Sequence, residues 1–345
     1  MRKTDGMRRV WVVVWGMLIF LIGGAGFVKA EKIGGLCLVS PPNKVDGKWV
    51  TPVKQLNAGW VAVMPYAFGQ ANSSSLRYNA PSQWWGEQFE GIQTIVQHAK
   101  SQGLKVMLKP MVWVQGSWAG GFDLESEVEW KKWEANYRTY TLAVAKIAVA
   151  EKVEMICLGT ELKVAVRKRA KFFRSLIDEL RGIYTGKLTY AANWDDYLIV
   201  NLWDKLDYIG IDAYFPLSPT ESPTVQELKL AWIDPIRKIS QVYKYYKKPI
   251  LFTEFGYRSI DQCCWQQWLR ENLPHDAYVN LQNQENAYKA FFESFWHQPW
   301  FAGVFFWQWY IHHPAAGGIK NSDFTPQNKP AANLVANWFG KQQSL

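Results

Sequence analysis

Two strand-like runs in this chain end on a glutamate. In "EMICLGTEL" the apolar residues Met155 to Leu158 lead through Gly159 and Thr160 to Glu161, and in "PILFTEF" the run from Ile250 leads to Glu254. A carboxylate at the end of a buried strand can simply cap the next helix, whose first N–H groups and dipole favour negative charge. It can also be one half of a reactive pair. Two facing carboxyl groups suit the cleavage of a glycosidic bond: the protonated one donates to the leaving oxygen, and the ionised one attacks the sugar carbon or activates water. A gap of about 5–5.5 Å gives a covalent intermediate and retained stereochemistry, whereas roughly 6.5–9.5 Å admits a water and inverts it. Repulsion between the two groups helps to keep the acid protonated near neutral pH.

Such a pair requires a fold that brings distant strand ends together. Eight short β-rich runs are present: "KIGGLCLVS", "WVAVMPY", "LKVMLKPMV", "VEMICLGTE", "KLTYAAN", "LDYIGIDAYF", "PILFTEFGY" and "FAGVFFWQWY". Segments such as "EQFEGIQTIVQHAKSQ", "WKKWEANYRTYTLAVAKIAVAE" and "AKFFRSLIDELRGIY" separate them, with apolar residues recurring at three and four as amphipathic helices require. Gly or Lys-Pro punctuation ("SQGLK", "YTGKL", "YKKPI") stops a helix before the next strand. Eight β-then-α units predict an α/β fold of the (β/α)8 TIM-barrel type, which takes about 250 residues plus insertions. An open doubly wound sheet is the alternative, but "KIGGLCLVSPP" has its glycines before the apolar core of the first strand, not in a phosphate-binding turn after it. In a closed barrel the ends of strands four and seven face each other across the mouth, which aims Glu161 and Glu254 into one cleft. The segments "AFGQANSSSLRYNAPSQWW", "WVQGSWAGGFDLES", "FPLSPTESPT" and "RSIDQCCWQQWLRENLPHDAYVNLQNQ" read as extended loops on that same face.

Residues 1–30 stand apart from residues 31–345, which are assigned to the barrel. A basic start, an uncharged run "VWVVVWGMLIFLIGGAGF" and the ending "VKA" have the layout of an export signal cleaved after Ala30, or of an uncleaved membrane anchor. Either places the remainder outside the cytoplasm: periplasmic, extracellular or envelope-anchored. The leader holds five of the 39 basic residues and one of the 30 acidic ones, so the net charge falls from +9 to +5 without it. The one dense basic cluster, "VRKRAKFFR", has the period of a solvated helix face rather than a phosphate track, so nucleic acid is not an expected partner. Membrane contact is expected only through an uncleaved leader, and a monomer is expected. Four cysteines are too few and irregular for a disulfide framework, and the five histidines show no metal-binding spacing. Many of the twenty tryptophans can be core residues, but so high a number points to some lining a groove, where flat rings with a polar edge suit sugar rings or aromatic ligands.

The stretches "LGTEL", "TYAANWDDY", "YIGIDAYFPL", "FTEFGYRS" and "GVFFWQWY", in this order, resemble glycoside hydrolase family 113 over about Lys32 to Gly340. The resemblance implies a retaining (β/α)8 hydrolase without metal or organic cofactor, acting on β-1,4-linked mannose polymers. It implies Glu161 as acid/base and Glu254 as nucleophile. Tyr214 matches the tyrosine that hydrogen-bonds the nucleophile, and Trp307 the tryptophan under the sugar at the cleavage point, with Trp309 able to exchange roles with it. Asn193 resembles a substrate hydrogen-bonder and also fits a turn. Trp113, Trp85 and Trp194 are further stacking candidates. Thr160 stands where many related enzymes carry the Asn that contacts the sugar 2-hydroxyl. Met111 on strand three replaces an expected polar group, and Lys109 either points inward as a partner for the carboxylates or lies on the outer wall. A carbohydrate-binding barrel without turnover, a hydrolase of another β-glycan and an envelope scaffold are the other readings.

Overall fold

Residues 32–270 and 278–341 are described by a computed structural model of the chain. The eight runs form β1 (Ile33–Val39), β2 (Trp60–Val63), β3 (Lys105–Leu108), β4 (Met155–Thr160), β5 (Lys187–Asn193), β6 (Ile209–Asp212), β7 (Ile250–Phe255) and β8 (Phe301–Tyr310). Each pairs in parallel with its neighbours in sequence, and β8 pairs with β1, so the sheet closes into a (β/α)8 barrel. The residue at position 30 and all before it, read as a leader, lie outside the described residues. Among the described residues no helix is long and apolar enough to cross a membrane.

Alternation along the strands sorts side chains into two cores. On β3, Val106 and Leu108 pack outward against the helices, while Met107 joins Cys37, Ala62, Met155, Cys157, Ala191, Leu251 and Phe305 inside the barrel. The interior is therefore a packed plug, and a ligand can enter only at its mouth. Outside lie the helices Phe89–Ser101, Glu127–Ala150, Ala170–Ile183, Ile233–Tyr246, Leu281–Phe295 and Pro330–Gly340. The Ser126 hydroxyl accepts from Glu129 N at 3.1 Å, and Thr224 with Glu227 forms a reciprocal capping box. The basic cluster is an ion-paired helix surface: Arg169 bonds Glu127 and Glu134, and Arg174 bonds Asp204.

Two departures from the sequence reading matter for the site. The segments after strands two and three are not plain loops. Tyr66–Gln70 pairs with Met111–Gln115 in parallel and with Arg77–Tyr78 antiparallel, making a small second sheet. Pro65 and Pro110 supply the break, since neither has an N–H to continue a barrel ladder. Met111 consequently belongs to that sheet and not to barrel strand three.

The second departure is a set of bulges. Leu36 pairs with Phe306 but Leu38 with Trp309, so β8 carries one extra residue there. Against β6, β7 carries one extra residue between Phe252 and Glu254, and against β5, β4 carries one between Cys157 and Thr160. A bulge reverses which face the following residues occupy. All three lie at the C-terminal ends of their strands. Cys263 and Cys264 are buried and free, with Sγ atoms 3.5 Å apart.

Candidate active site

Strict alternation on β7 would send Leu251 inward, Phe252 outward, Thr253 inward and Glu254 outward. The first two follow that rule. The bulge then turns Glu254 into the barrel mouth, where it is 5% exposed. Its Oε2 accepts from the Tyr214 hydroxyl at 2.5 Å, and its Oε1 accepts from the Lys109 ammonium. Tyr214 stands two residues beyond the end of β6, and its hydroxyl is held well above the usual tyrosine pKa by burial and the Glu254 charge. Gly256 lets the chain leave Glu254 past Trp307, because any β-carbon there would strike the Trp307 carbonyl oxygen.

Lys109 follows β3 in the same alternation as Met107, so it points into the barrel and is wholly buried. Of the two directions open to it, the inward one holds. Asp212, the last residue of β6, faces it with Oδ2 at 3.4 Å from Nζ and takes the Thr253 hydroxyl on Oδ1 at 2.7 Å. Burial alone would lower the lysine pKa, but the Asp212 and Glu254 charges together outweigh it and hold Lys109 well above its ordinary value. Two carboxyl groups facing one ammonium leave one negative charge unmatched. Burial first, and the Glu254 charge second, accordingly push the Asp212 carboxyl well above the usual aspartate range. Asp212 and Thr253 were missed in the sequence. An acid at an inward position of "IGID" was the available signal.

Glu161 follows β4 directly, with φ +52. The left-handed region costs a non-glycine residue roughly 1–2 kcal/mol, which its N–H bond to Ala191 O at 2.8 Å helps to offset. Gly159 is required because a β-carbon there would meet the Tyr137 hydroxyl, itself bonded to Leu158 O at 2.7 Å. The half-buried Glu161 accepts on Oε2 from the Trp118 indole N–H at 2.9 Å. Burial, and then the charge of Glu254, raise its pKa to about 7, while the Trp118 bond opposes them. One carboxyl group is thus held by two strong donors, and the other is biased toward its neutral form.

The remaining candidates divide. Trp307 is half-buried against the interior core, and its peptide bond to Gln308 is cis. Trp309 does not share that face. The bulge on β8 turns it into the outer core, fully buried and stacked on His313 at 5.3 Å, so it cannot lie under a sugar. Trp85 is likewise in the outer core, because the 3₁₀ turn Trp85–Glu87 folds its ring inward and leaves Trp84 exposed instead. Asn193 uses Oδ1 to accept from Trp194 N at 2.8 Å, which is the turn role. Thr160 donates its hydroxyl to Pro110 O at 3.2 Å and is buried, leaving little for a sugar 2-hydroxyl. Trp194 stacks on Trp268 at 5.6 Å, and Trp113 is 61% exposed on the small sheet.

The description of glycoside hydrolase family 113 matches residues 47–329. Among solved structures, the chain is similar to the GH113 β-mannanase AaManA from Alicyclobacillus acidocaldarius in complex with ManMIm, with 24% identity, 90% of this chain and 98% of that chain covered, and a TM-score of 0.78. A GH113 β-1,4-mannanase gives 26% identity, 90% and 99% coverage, and a TM-score of 0.74. A Ruminococcus gnavus β-glucuronidase, 13% identical over 90% of this chain and 50% of its own, shares the fold with a TM-score of 0.63. No curated protein sequence matches.

Proposed function

The chain belongs to glycoside hydrolase family 113, and from that premise we propose that it is an exported hydrolase of β-1,4-linked mannose chains working by double displacement. The observation that carries this reading is the unequal treatment of two carboxyl groups at one barrel mouth: Glu254 accepts from Lys109 and Tyr214, while burial and the Glu254 charge raise Glu161 to about pH 7. The β-mannan preference draws on the β-mannanases of similar structure, and export on the leader-like residues 1–30.

In the first step an oxygen of Glu254 attacks the anomeric carbon, and the carbon–oxygen bond to the leaving sugar breaks. The Glu161 proton passes to that departing oxygen. In the second step Glu161, now ionised, takes a proton from water; the hydroxide oxygen attacks the same carbon and frees Glu254. Lys109 and Tyr214 donate to Glu254 and hold it aimed, and in this reading the half-buried Trp307 supplies the ring on which the sugar rests. Trp118 donates to Glu161 in its ionised form, the form needed for the second step.

Products released from β-mannan, xylan and chitosan across pH test this directly. Mannose oligosaccharides are expected in preference to the other series. Because Glu161 must be protonated in the free enzyme, kcat/KM is expected to fall about tenfold per pH unit above pH 7. Trp118→Phe removes a donor that favours the charged form, so this alkaline limb moves to higher pH. A limb that is unchanged in Glu161→Gln, or absence of mannan cleavage, contradicts the proposal.

A further inference from the structure

The charge of the barrel is divided unevenly between its two ends. The paired carboxylates lie at the C-terminal ends of the strands. At the opposite end the chain enters each strand, through residue 32 and residues 51–60, 97–105, 146–155, 179–187, 202–209, 242–250 and 291–301, and residues 336–341 close the last helix there. These stretches hold 13 Lys or Arg against six Asp or Glu, a surplus of seven positive charges. Residues 31–345 as a whole have a surplus of five, so the rest of the barrel domain is net negative.

Lysines in a last helical turn complement the helix dipole, which accounts for Lys54, Lys100 and Lys244. It does not account for Lys105 and Lys187, which open β3 and β5, or for Lys248. Part of the charge is matched: Glu154 pairs with Lys100 at 2.6 Å, and Asp207 with Arg181 at 2.6 Å and Lys187 at 3.4 Å. Between Asp234 and Glu254, by contrast, the sequence has five bases and no acid. Arg237 and Lys238 pair back to Asp234, which leaves Lys244, Lys247 and Lys248 clustered at the turn into β7. Within that cluster the Tyr245 ring is 79% exposed, and Val149 and Ile183 are also exposed at this end. Lysines around an exposed aromatic ring are the composition of a membrane-facing surface: the ammonium groups meet anionic headgroups, and the amphipathic ring sits at their level. Chain length gives a second argument. The uncharged run before the barrel ends at Phe27, six residues before β1 begins at Ile33. A chain spans at most about 3.6 Å per residue, so a bilayer that holds this run lies within about 22 Å of the start of β1.

We propose that the end of the barrel at which its strands begin is a docking surface for an anionic lipid bilayer. Lys105, Lys187, Lys247 and Lys248 face the headgroups, and the Tyr245 ring lies among them. Membrane contact then does not require an uncleaved leader, and the carboxylate mouth, at the opposite end, opens away from the bilayer. None of this depends on the reaction proposed above.

Lysine footprinting of the full chain tests the surface. The protein is mixed with vesicles of phosphatidylcholine, with or without phosphatidylglycerol, acylated with a lysine-reactive ester and mapped by mass. On the anionic vesicles Lys105, Lys187, Lys247 and Lys248 are expected to be acylated several-fold less, while Lys44 and Lys320, exposed at the mouth end, are unchanged. The protection should disappear without phosphatidylglycerol, and also in roughly 1 M salt, where the screening length falls to about 3 Å. Each lysine near an anionic surface contributes about fivefold, so Lys247→Gln combined with Lys248→Gln should weaken vesicle binding about 25-fold. A wild-type urea midpoint shows that this double variant is folded. Equal protection at both ends, protection that persists without phosphatidylglycerol, or unaltered binding by the folded double variant overturns the proposal. Protection by soluble polyphosphate but not by anionic vesicles would assign the surface to an acidic polymer and overturn it equally.

Discussion

Glu254→Ala is expected to lower kcat on a mannose oligosaccharide by roughly 10⁴–10⁶-fold, the range seen when a covalent nucleophile is removed. The protein should still fold. Alanine removes one of two carboxyl groups facing Lys109, and Asp212 remains to pair with it, 3.4 Å away. Azide, small enough to enter the space left by the side chain, should restore part of the turnover and give a product of inverted anomeric configuration. That rescue separates loss of the nucleophile from general damage, which no small anion repairs. A variant that keeps activity within tenfold of wild type would remove Glu254 from the reaction.

Lys109→Met is expected to be nearly as severe, by a different route. The ammonium is wholly buried and faces both Glu254 and Asp212. Without it two carboxyl groups share a dry site, and loss of one partner of a buried ion pair costs about 3–5 kcal/mol. Methionine keeps the apolar stem and most of the volume, so the loss is mainly electrostatic. Glu254 also loses the donor on Oε1, and by analogy with removal of one strong preorganised donor kcat should fall roughly 10²–10³-fold. Adding Asp212→Asn to Lys109→Met removes one of the two facing carboxyl groups. The double variant should recover much of the stability, read by urea unfolding, without recovering activity. If Lys109→Met unfolds at the wild-type midpoint, the lysine does not supply the compensating charge.

Much of the architecture was written in periodicity. Eight apolar runs separated by amphipathic helices could close into one barrel, and the alternation of "KVMLK" places Lys109 with inward Met107 rather than with Val106 and Leu108. The same rule makes Asp212 an inward acid, a reading that was available and not taken. What alternation does not carry is an irregularity. The extra residue on β8 separates Trp307 from Trp309 by face, although they are two apart in sequence. The extra residue on β7 does the opposite service, turning Glu254 toward the cavity when its parity points to the helices. Trp118 was out of reach for another reason. It sits on a loop between elements, and only the folded path of that loop brings its indole within 2.9 Å of Glu161. Trp84 and Trp85 are adjacent and alike in composition, yet a single 3₁₀ turn buries one and exposes the other.

The most direct measurement is mass mapping of the protein after incubation with a 2-deoxy-2-fluoro-β-mannosyl fluoride. The fluorine at C2 slows both steps, while the good leaving group lets the first proceed, so a covalent sugar accumulates on the nucleophile. One fluoromannosyl adduct is expected, on the peptide containing Glu254, with activity lost in proportion. An adduct confined to another carboxylate, or steady turnover of a natural mannose oligosaccharide to a product of inverted configuration with no adduct formed, would contradict nucleophilic attack by Glu254.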